Sequence, residues 1–109
     1  MAIALPAPIA GYFEADRDEK PEAIAPWFAE DAIVEDDGKT HVGRDAIVAW
    51  KVEYTKAFTS VAEPFAIAED GDEVIVTSHV TGDFPGNPID LRYFFVLRGE
   101  HIARLKITP

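Results

Sequence analysis

The spacing of apolar residues changes from a helical to a strand period near the middle of this 109-residue chain. Before position 58, apolar side chains recur every three or four residues in three short stretches, as they do on the buried stripe of a helix. From Val61 onward they alternate with polar residues, and turn sequences such as Arg98-Gly99 separate the alternating segments. Helices followed by strands predict one α+β domain over residues 1–109, with a mostly antiparallel sheet.

Three segments carry the helical pattern. The first begins at two prolines and places Tyr12 on its apolar stripe. The second opens at Pro21, and Pro26 should kink it or delay its start. The third begins after Gly43 and continues for about three turns. Aromatic residues of these stripes, with one from a later strand, are expected to form core or to line a pocket: Trp27, Trp50, Tyr54, Phe58 and Phe94.

Composition argues against several classes of function. Twenty acidic and ten basic residues give a formal net charge of -10, which disfavours binding to nucleic acid and to anionic membrane surfaces. The chain has no cysteine, its three histidines lack metal-ligand spacing, and no phosphate-binding or redox motif is present, so we expect neither a metal nor a cofactor. No segment is long enough to span a bilayer and the N-terminus lacks the features of a signal peptide, so the default expectation is a cytoplasmic location.

The segment from Phe28 to Gly38 carries a carboxylate on the apolar side of a short strand. Alternation sends Ala32, Val34 and Asp36 to one face. If that face is buried, Asp36 looks into an apolar space, and such surroundings raise the pKa of a carboxylic acid toward the range useful in a general base. The alternative is that Asp36 belongs to a turn and accepts hydrogen bonds from the backbone.

The order of elements resembles the nuclear-transport-factor-2-like superfamily, in particular its SnoaL-like and ketosteroid-isomerase-like branches. This resemblance implies a cone-shaped fold, in which a curved sheet wraps around three helices and encloses one apolar pocket. It also implies a homodimer formed through the sheet. Four groups of residues carry the resemblance: Tyr12-Phe13, the stretch 28–36, residues 43–47 with Trp50, and the ending 97–107.

Ketosteroid isomerases provide residue-by-residue expectations for a catalytic site. The general base of that family is an aspartate in a Val-Glu-Asp stretch, which Val34-Glu35-Asp36 matches, and Tyr12 matches a tyrosine that donates to the developing oxyanion. The family's third residue is a protonated aspartate on a later strand, and here the sequence departs from the pattern. The local sequence around Asp90 resembles that around the family's protonated aspartate. Counting back from the Arg98-Gly99 turn instead brings Arg92 or Phe94 to the corresponding position.

Three functions remain open at this point. The first is a protein that binds a small hydrophobic carbonyl compound, with Asp36 as base in an isomerase or cyclase reaction and Tyr12 polarising the carbonyl oxygen. Asp90, Arg92 or His79 would supplement Tyr12, although His79 lies on a mixed strand face that could equally contact solvent or a dimer partner. The second is a non-catalytic ligand-binding or dimerisation module. The third, an enzyme similar to epoxide hydrolases, would use Asp90 and Arg92 but lacks a clear second aspartate.

Overall fold

The computed structural model describes residues 3–109. Met1 and Ala2, which begin the N-terminal segment that was compared with a signal peptide, lie outside the described residues. Helices occupy the first half and strands dominate the second, as the change of period predicts. No helix within residues 3–109 is both long and apolar enough to cross a membrane. The elements are α1 (Ala7–Arg17), a 3₁₀ helix (Pro21–Trp27), β1 (Phe28–Asp36), β2 (Lys39–Val42), α2 (Arg44–Ala57), β3 (Ser60–Asp70), β4 (Glu73–Gly82), β5 (Ile89–Arg98) and β6 (His101–Thr108).

The strands form one curved, six-stranded sheet in the order β2-β1-β6-β5-β4-β3. Four of the five neighbouring pairs are antiparallel, and only β1 and β6 run parallel. The predicted α+β class, with three helices and a mostly antiparallel sheet, is therefore confirmed. Val34 pairs with Leu105, and both side chains are fully buried under the helices.

A two-residue hairpin turn separates β1 from β2. Asp36 pairs with Lys39, so the turn itself consists of Asp37 and Gly38. Both turn residues have positive φ angles, 52° and 75°, as the tight hairpin turn favoured by Asp-Gly requires. Asp36 is the last residue of the strand and lies on the same face as Val34. The structure thus favours the strand position over the turn position for this carboxylate.

Helix α1 is attached to the sheet by an aromatic cluster around Tyr12, whose side chain is 1% exposed. The Tyr12 ring meets Phe28 and Phe95 in edge-to-face arrangements, with ring centres 5.9 and 6.0 Å apart. Such pairs add stabilisation beyond the burial of their area and fix the relative orientation of the rings. The position of α1 along the sheet is therefore set by the same residue that the sequence predicts in the site.

The second helix is a short 3₁₀ helix with Pro26 inside it. A proline lacks the backbone N–H that an α-helix needs at this position, so the tighter and shorter form is favoured. The helix ends at Trp27, whose indole lies directly over Gly11 of α1. A Cβ atom at position 11 would lie 2.0 Å from Trp27 Cε2.

We expect Gly11→Ala to destabilise the protein, although alanine is the better helix former. The added methyl group would push the Trp27 ring out of its place, and overpacking of this kind costs about 1–3 kcal/mol. Thermal and urea unfolding followed by circular dichroism would measure the loss. Glu14→Ala, on the exposed side of the same helix, is the control and should change stability little. A Gly11→Ala protein as stable as the wild type would contradict this account.

Candidate functional site

A small cavity of about 60 Å³ lies between the two α-helices and the inner face of the sheet. Four residues predicted in the site or its pocket line it: Asp36, Tyr12, Trp50 and Tyr54. Its wall also contains one lysine, a second aspartate and a third tyrosine. The other lining residues are Asp16, Lys51, Ser60, Ala62, Val80, Leu91, Tyr93 and Ile107.

The cavity lies at the base of a wider groove of about 720 Å³. Asp36 and Tyr54 belong to the walls of both, as do Leu91 and Ile107. The groove is bounded on one side by the β1–β2 turn and on the other by the segment between β4 and β5. Its apolar wall includes one residue that the sequence predicts in the pocket, Phe58, and three that it does not: Phe84, Pro85 and Ile89.

Asp36 is held in place by α2. The indole Nε1 of Trp50 donates a hydrogen bond to Asp36 Oδ2 over 3.1 Å. The ring of His41 lies beside that indole, with the ring centres 5.9 Å apart. One oxygen of the carboxylate is thereby oriented by a neutral donor, while the group remains half-buried at the junction of cavity and groove.

An ion pair in the cavity wall joins α1 to α2. Lys51 Nζ lies 2.6 Å from Asp16 Oδ1, and the two side chains are only 8% and 15% exposed. The same ammonium group donates a hydrogen bond to Tyr12 Oη over 3.3 Å. The sequence reasoning did not place Lys51 or Asp16 in the site. One feature of the sequence could have indicated both residues. Each is a charged residue at a position of its helical stripe that is otherwise apolar.

Three aromatic rings surround the Lys51 ammonium group. Nζ lies 5.2 Å from the ring centre of Tyr12, 5.1 Å from that of Trp50 and 5.5 Å from that of Tyr54. Rings at this distance attract a cation through their negative faces, and more strongly where water is excluded. Of the residues that line the cavity, Lys51 is the one with a basic side chain. Residues 3–109 contain no cluster of three or more potential metal ligands.

Two of the three tyrosines in the cavity wall, Tyr12 and Tyr93, are buried. Burial raises the pKa of Tyr12 well above its usual value, and the negative charges of Asp16 and Asp36 raise it further. Burial is also the main cause that raises the pKa of Tyr93, with Tyr12 as a secondary cause. Tyr12 therefore carries its proton throughout the neutral range and can donate it in a hydrogen bond.

Strand β5 turns its even-numbered side chains away from the cavity. Tyr93 and Phe95 are buried on the inner face, so alternation places Asp90, Arg92 and Phe94 on the outer face. The sequence left open which of these three residues would complete the site, and the structure places all three outside the cavity wall. The inner positions of β5 are occupied by apolar and aromatic side chains.

The outer-face residues make contacts of their own. His79 Nδ1 and Asp90 Oδ1 lie 2.8 Å apart on neighbouring strands, and both side chains are more than half exposed. Arg92 lies over the Phe94 ring and donates to the backbone oxygen of Pro109 over 3.4 Å. The sequence left open whether His79 supplements Tyr12 in the site or lies on a face that contacts solvent or a dimer partner. The structure places it on the outer face, because its neighbours Ser78 and Val80 point inward and are buried.

Trp27 and Phe58 occupy different places from the other predicted pocket aromatics. Trp27 packs on Gly11 against the core and is not part of the cavity wall. Phe58 lies at the end of α2 beside Tyr54, with ring centres 5.5 Å apart, and lines only the outer groove. The sequence-predicted site is thus divided among the cavity, the groove, the core and the outer face.

Comparison with known proteins identifies similar chains. A family model described as the SnoaL-like domain matches residues 9–104. The crystal structure of a candidate polyketide cyclase from Sinorhizobium meliloti is 43% identical, covers 95% of each chain and gives a TM-score of 0.90. A Catenulispora acidiphila protein of ketosteroid isomerase-like fold, in complex with trimethylamine, is 24% identical over 97% of this chain and 87% of its own, with a TM-score of 0.82. TerC, co-crystallised with polyporic acid, is 18% identical over 93% of this chain and 87% of its own, with a TM-score of 0.78. No curated protein sequence matches significantly.

We expect an alkaline unfolding transition that is linked to Tyr12 and Tyr93. Their pKa values are raised in the folded state, so their contribution to stability is complete below the unfolded-state pKa of about 10 and is lost as the pH rises through the folded-state values. Tyrosinate absorbance and circular dichroism, recorded together during an alkaline titration, would measure this link. Ionisation of all three tyrosines without loss of the folded spectrum would contradict it, and Tyr12→Phe should remove one of the late-ionising groups.

Proposed function

Because the chain belongs to the SnoaL-like family, we propose that it binds a small hydrophobic carbonyl compound and catalyses a proton shift or a ring closure on it. Asp36 is the general base, and Tyr12 donates a hydrogen bond to the carbonyl oxygen. The observation that carries this proposal is that a carboxylate and a buried, protonated hydroxyl line the same cavity.

The dimensions of the site support a ligand with a polar head and an apolar body. A cavity of about 60 Å³ is less than half as large as an apolar cavity of about 150 Å³ that holds benzene. The carbonyl group therefore enters the cavity, while the ring or chain attached to it lies in the groove. There it contacts apolar side chains such as Phe58, Phe84 and Ile89.

Proton transfer begins at the carbon next to the carbonyl group. Asp36 Oδ1 forms a bond to the proton as the C–H bond breaks, and the electron pair of that bond moves into a new C=C bond. The electrons of the C=O double bond move to the oxygen, which becomes an enolate oxygen and accepts a hydrogen bond from Tyr12. In a proton shift, Asp36 returns the proton to another carbon of the same molecule. In a ring closure, the enolate carbon attacks a second carbonyl carbon, and the oxygen of that group takes up the proton.

The relative from Sinorhizobium meliloti supports the ring-closing version. That protein is a candidate polyketide cyclase, and it is 43% identical over 95% of both chains. The more distant neighbours are less than 25% identical and support the fold alone. An epoxide-hydrolase reaction loses its support, because Asp90 and Arg92 lie on the outer face of the sheet.

A non-catalytic binding protein is the second candidate function. The small size of the inner cavity favours it, because a ligand could rest in the groove without placing its oxygen against Tyr12, which lines only the cavity. The two candidates differ in one measurable property. Only the enzyme removes protons from carbon.

Exchange of carbon-bound protons for deuterium tests the catalytic proposal without knowledge of the natural substrate. With β-tetralone as the probe, wild-type protein in heavy water should accelerate the loss of the proton signals next to the carbonyl group, as followed by nuclear magnetic resonance. Asp36→Asn should slow this exchange by about 10²–10⁴-fold, because the base is lost. Tyr12→Phe should slow it by about 10²–10³-fold, because the oxyanion loses its donor.

Asp72→Asn is the matched control for Asp36→Asn. It makes the same chemical change at an exposed position of the turn between β3 and β4, outside the cavity and the groove. The control should exchange the probe at the wild-type rate. An equal loss in both variants would refute Asp36 as the base, and no acceleration by the wild type, with binding retained, would favour the non-catalytic function.

We further propose that the outer face of the sheet forms a homodimer interface. Ile75 and Phe94 pair across β4 and β5 on this face, and Val96 continues the apolar surface. Because these side chains are only half-buried, association of two sheets would remove further apolar area from water.

Phe94→Glu should shift the protein toward the monomer, because a buried charge would replace an apolar contact. Sedimentation velocity over a range of concentrations would measure the shift. Val42→Glu alters an apolar residue that is 61% exposed on the β2 edge, and this control should leave the oligomeric state unchanged. A wild-type protein that is monomeric at all concentrations would contradict the interface.

A further inference from the structure

Lys51 is a buried charge that the proton transfer described above does not require. Its side chain is 8% exposed, although it occupies one of the central positions of α2. A lysine is costly to remove from water unless its charge is compensated. Here the compensation is extensive, because Asp16 and three aromatic rings surround the ammonium group. An apolar residue would fill the same position without any of these partners.

The hydrogen-bonding capacity of the groups determines the direction of the Lys51–Tyr12 contact. An ammonium group only donates, whereas a tyrosine hydroxyl both accepts and donates. Lys51 Nζ therefore donates to Tyr12 Oη across the 3.3 Å separation, which leaves the Tyr12 proton free for another acceptor. Because Tyr12 lines the cavity, its proton can be donated to a ligand oxygen there. Donation to the tyrosine oxygen also strengthens the hydrogen bond that the tyrosine itself donates.

The charges of the cavity wall support a function in transition-state stabilisation. Lys51 offsets Asp16, so Asp36 supplies the net negative charge of the empty cavity. When Asp36 takes up a proton, its charge disappears and an equal charge arises on the ligand oxygen beside Tyr12. Without Lys51, that oxygen would meet the uncompensated charge of Asp16. Preorganised positive charge at the place where negative charge develops lowers the energy of such a step.

We propose that Lys51 is a positioning residue that sets Tyr12 as the donor to the ligand oxygen and makes the cavity select anionic oxygens, such as those of enolates and phenolates. This inference rests on the function proposed above. The recognised ligand class is an enolisable carbonyl compound or an ionisable phenol. A neutral hydrocarbon of the same shape would lack the oxygen that Tyr12 and Lys51 act upon.

β-Naphthol tests this inference, because its neutral and ionised forms have different fluorescence and because naphthalene matches its shape without the oxygen. Wild-type protein should bind naphthol more tightly than naphthalene, and the naphthol proton should pass to Asp36, so that the bound molecule fluoresces as naphtholate. Lys51→Met should weaken naphtholate binding by about 10–100-fold, as expected for loss of an interaction with a charged group. The same variant should change naphthalene binding by less than about twofold and should return the bound naphthol toward its neutral form. Lys51→Arg, which keeps the charge, should restore part of the preference.

A second variant guards against misfolding of the first. Lys51→Met leaves Asp16 buried without its partner, which destabilises a fold. The double variant Lys51→Met/Asp16→Asn removes both charges and nearly preserves the shapes. After circular dichroism has established that it is folded, it should also lose preference for naphtholate over naphthalene, although by less than Lys51→Met does because the charge of Asp16 is absent.

The outcomes separate this inference from the proposed function. If the folded double variant keeps the wild-type preference while Tyr12→Phe loses it, Lys51 is only a structural residue and the inference is overturned. If the wild type binds naphtholate no better than naphthalene, the cavity does not recognise oxygen and the proposed function fails with it. Loss of the preference in both Tyr12→Phe and the double variant, with partial recovery in Lys51→Arg, supports the inference.

Discussion

The packing of Tyr12 against the sheet is the contact on which the rest of the site depends. Its ring lies edge-on to Phe28 and Phe95, and its hydroxyl projects from this apolar cluster toward α2. Because the ring cannot shift without disturbing the core, the hydroxyl is held at a fixed place over the inner face. A single side chain thereby connects the packing of α1 with the chemistry of the cavity.

Two opposing kinds of surroundings meet at this cavity. The proposed base, Asp36, lies half-buried at the entrance and accepts a hydrogen bond from a neutral indole. The hydroxyl lies deeper, between rings and beside the compensated ion pair of Lys51 and Asp16. A negative charge transferred from the entrance to the deeper end would therefore move toward the donors. The carboxylate and the hydroxyl are kept apart because they come from different elements, the end of β1 and helix α1, with α2 packed against both.

The helical and strand periods predicted the class of the fold and the face of Asp36, because Ala32 and Val34, which share that face, are fully buried. The same reasoning could not orient β5. Phe94 and Val96 are apolar outer-face residues that alternate with the buried Tyr93 and Phe95, so a continuous apolar run gives no indication of which side faces the helices. Lys51 was missed for a different reason. A lysine on a helical stripe is usually an interruption of that stripe, and only tertiary structure brings it to Asp16.

The contact between Trp50 and Asp36 also gives the protein an intrinsic optical probe. Indole emission depends on the polarity and hydrogen bonding around the ring, and the Trp50 N–H is bonded to the carboxylate at the entrance of the cavity. The other of the two tryptophans, Trp27, packs on Gly11 outside the cavity wall and serves as an internal reference. A ligand or a proton at Asp36 is therefore expected to change the wavelength and intensity of Trp50 fluorescence.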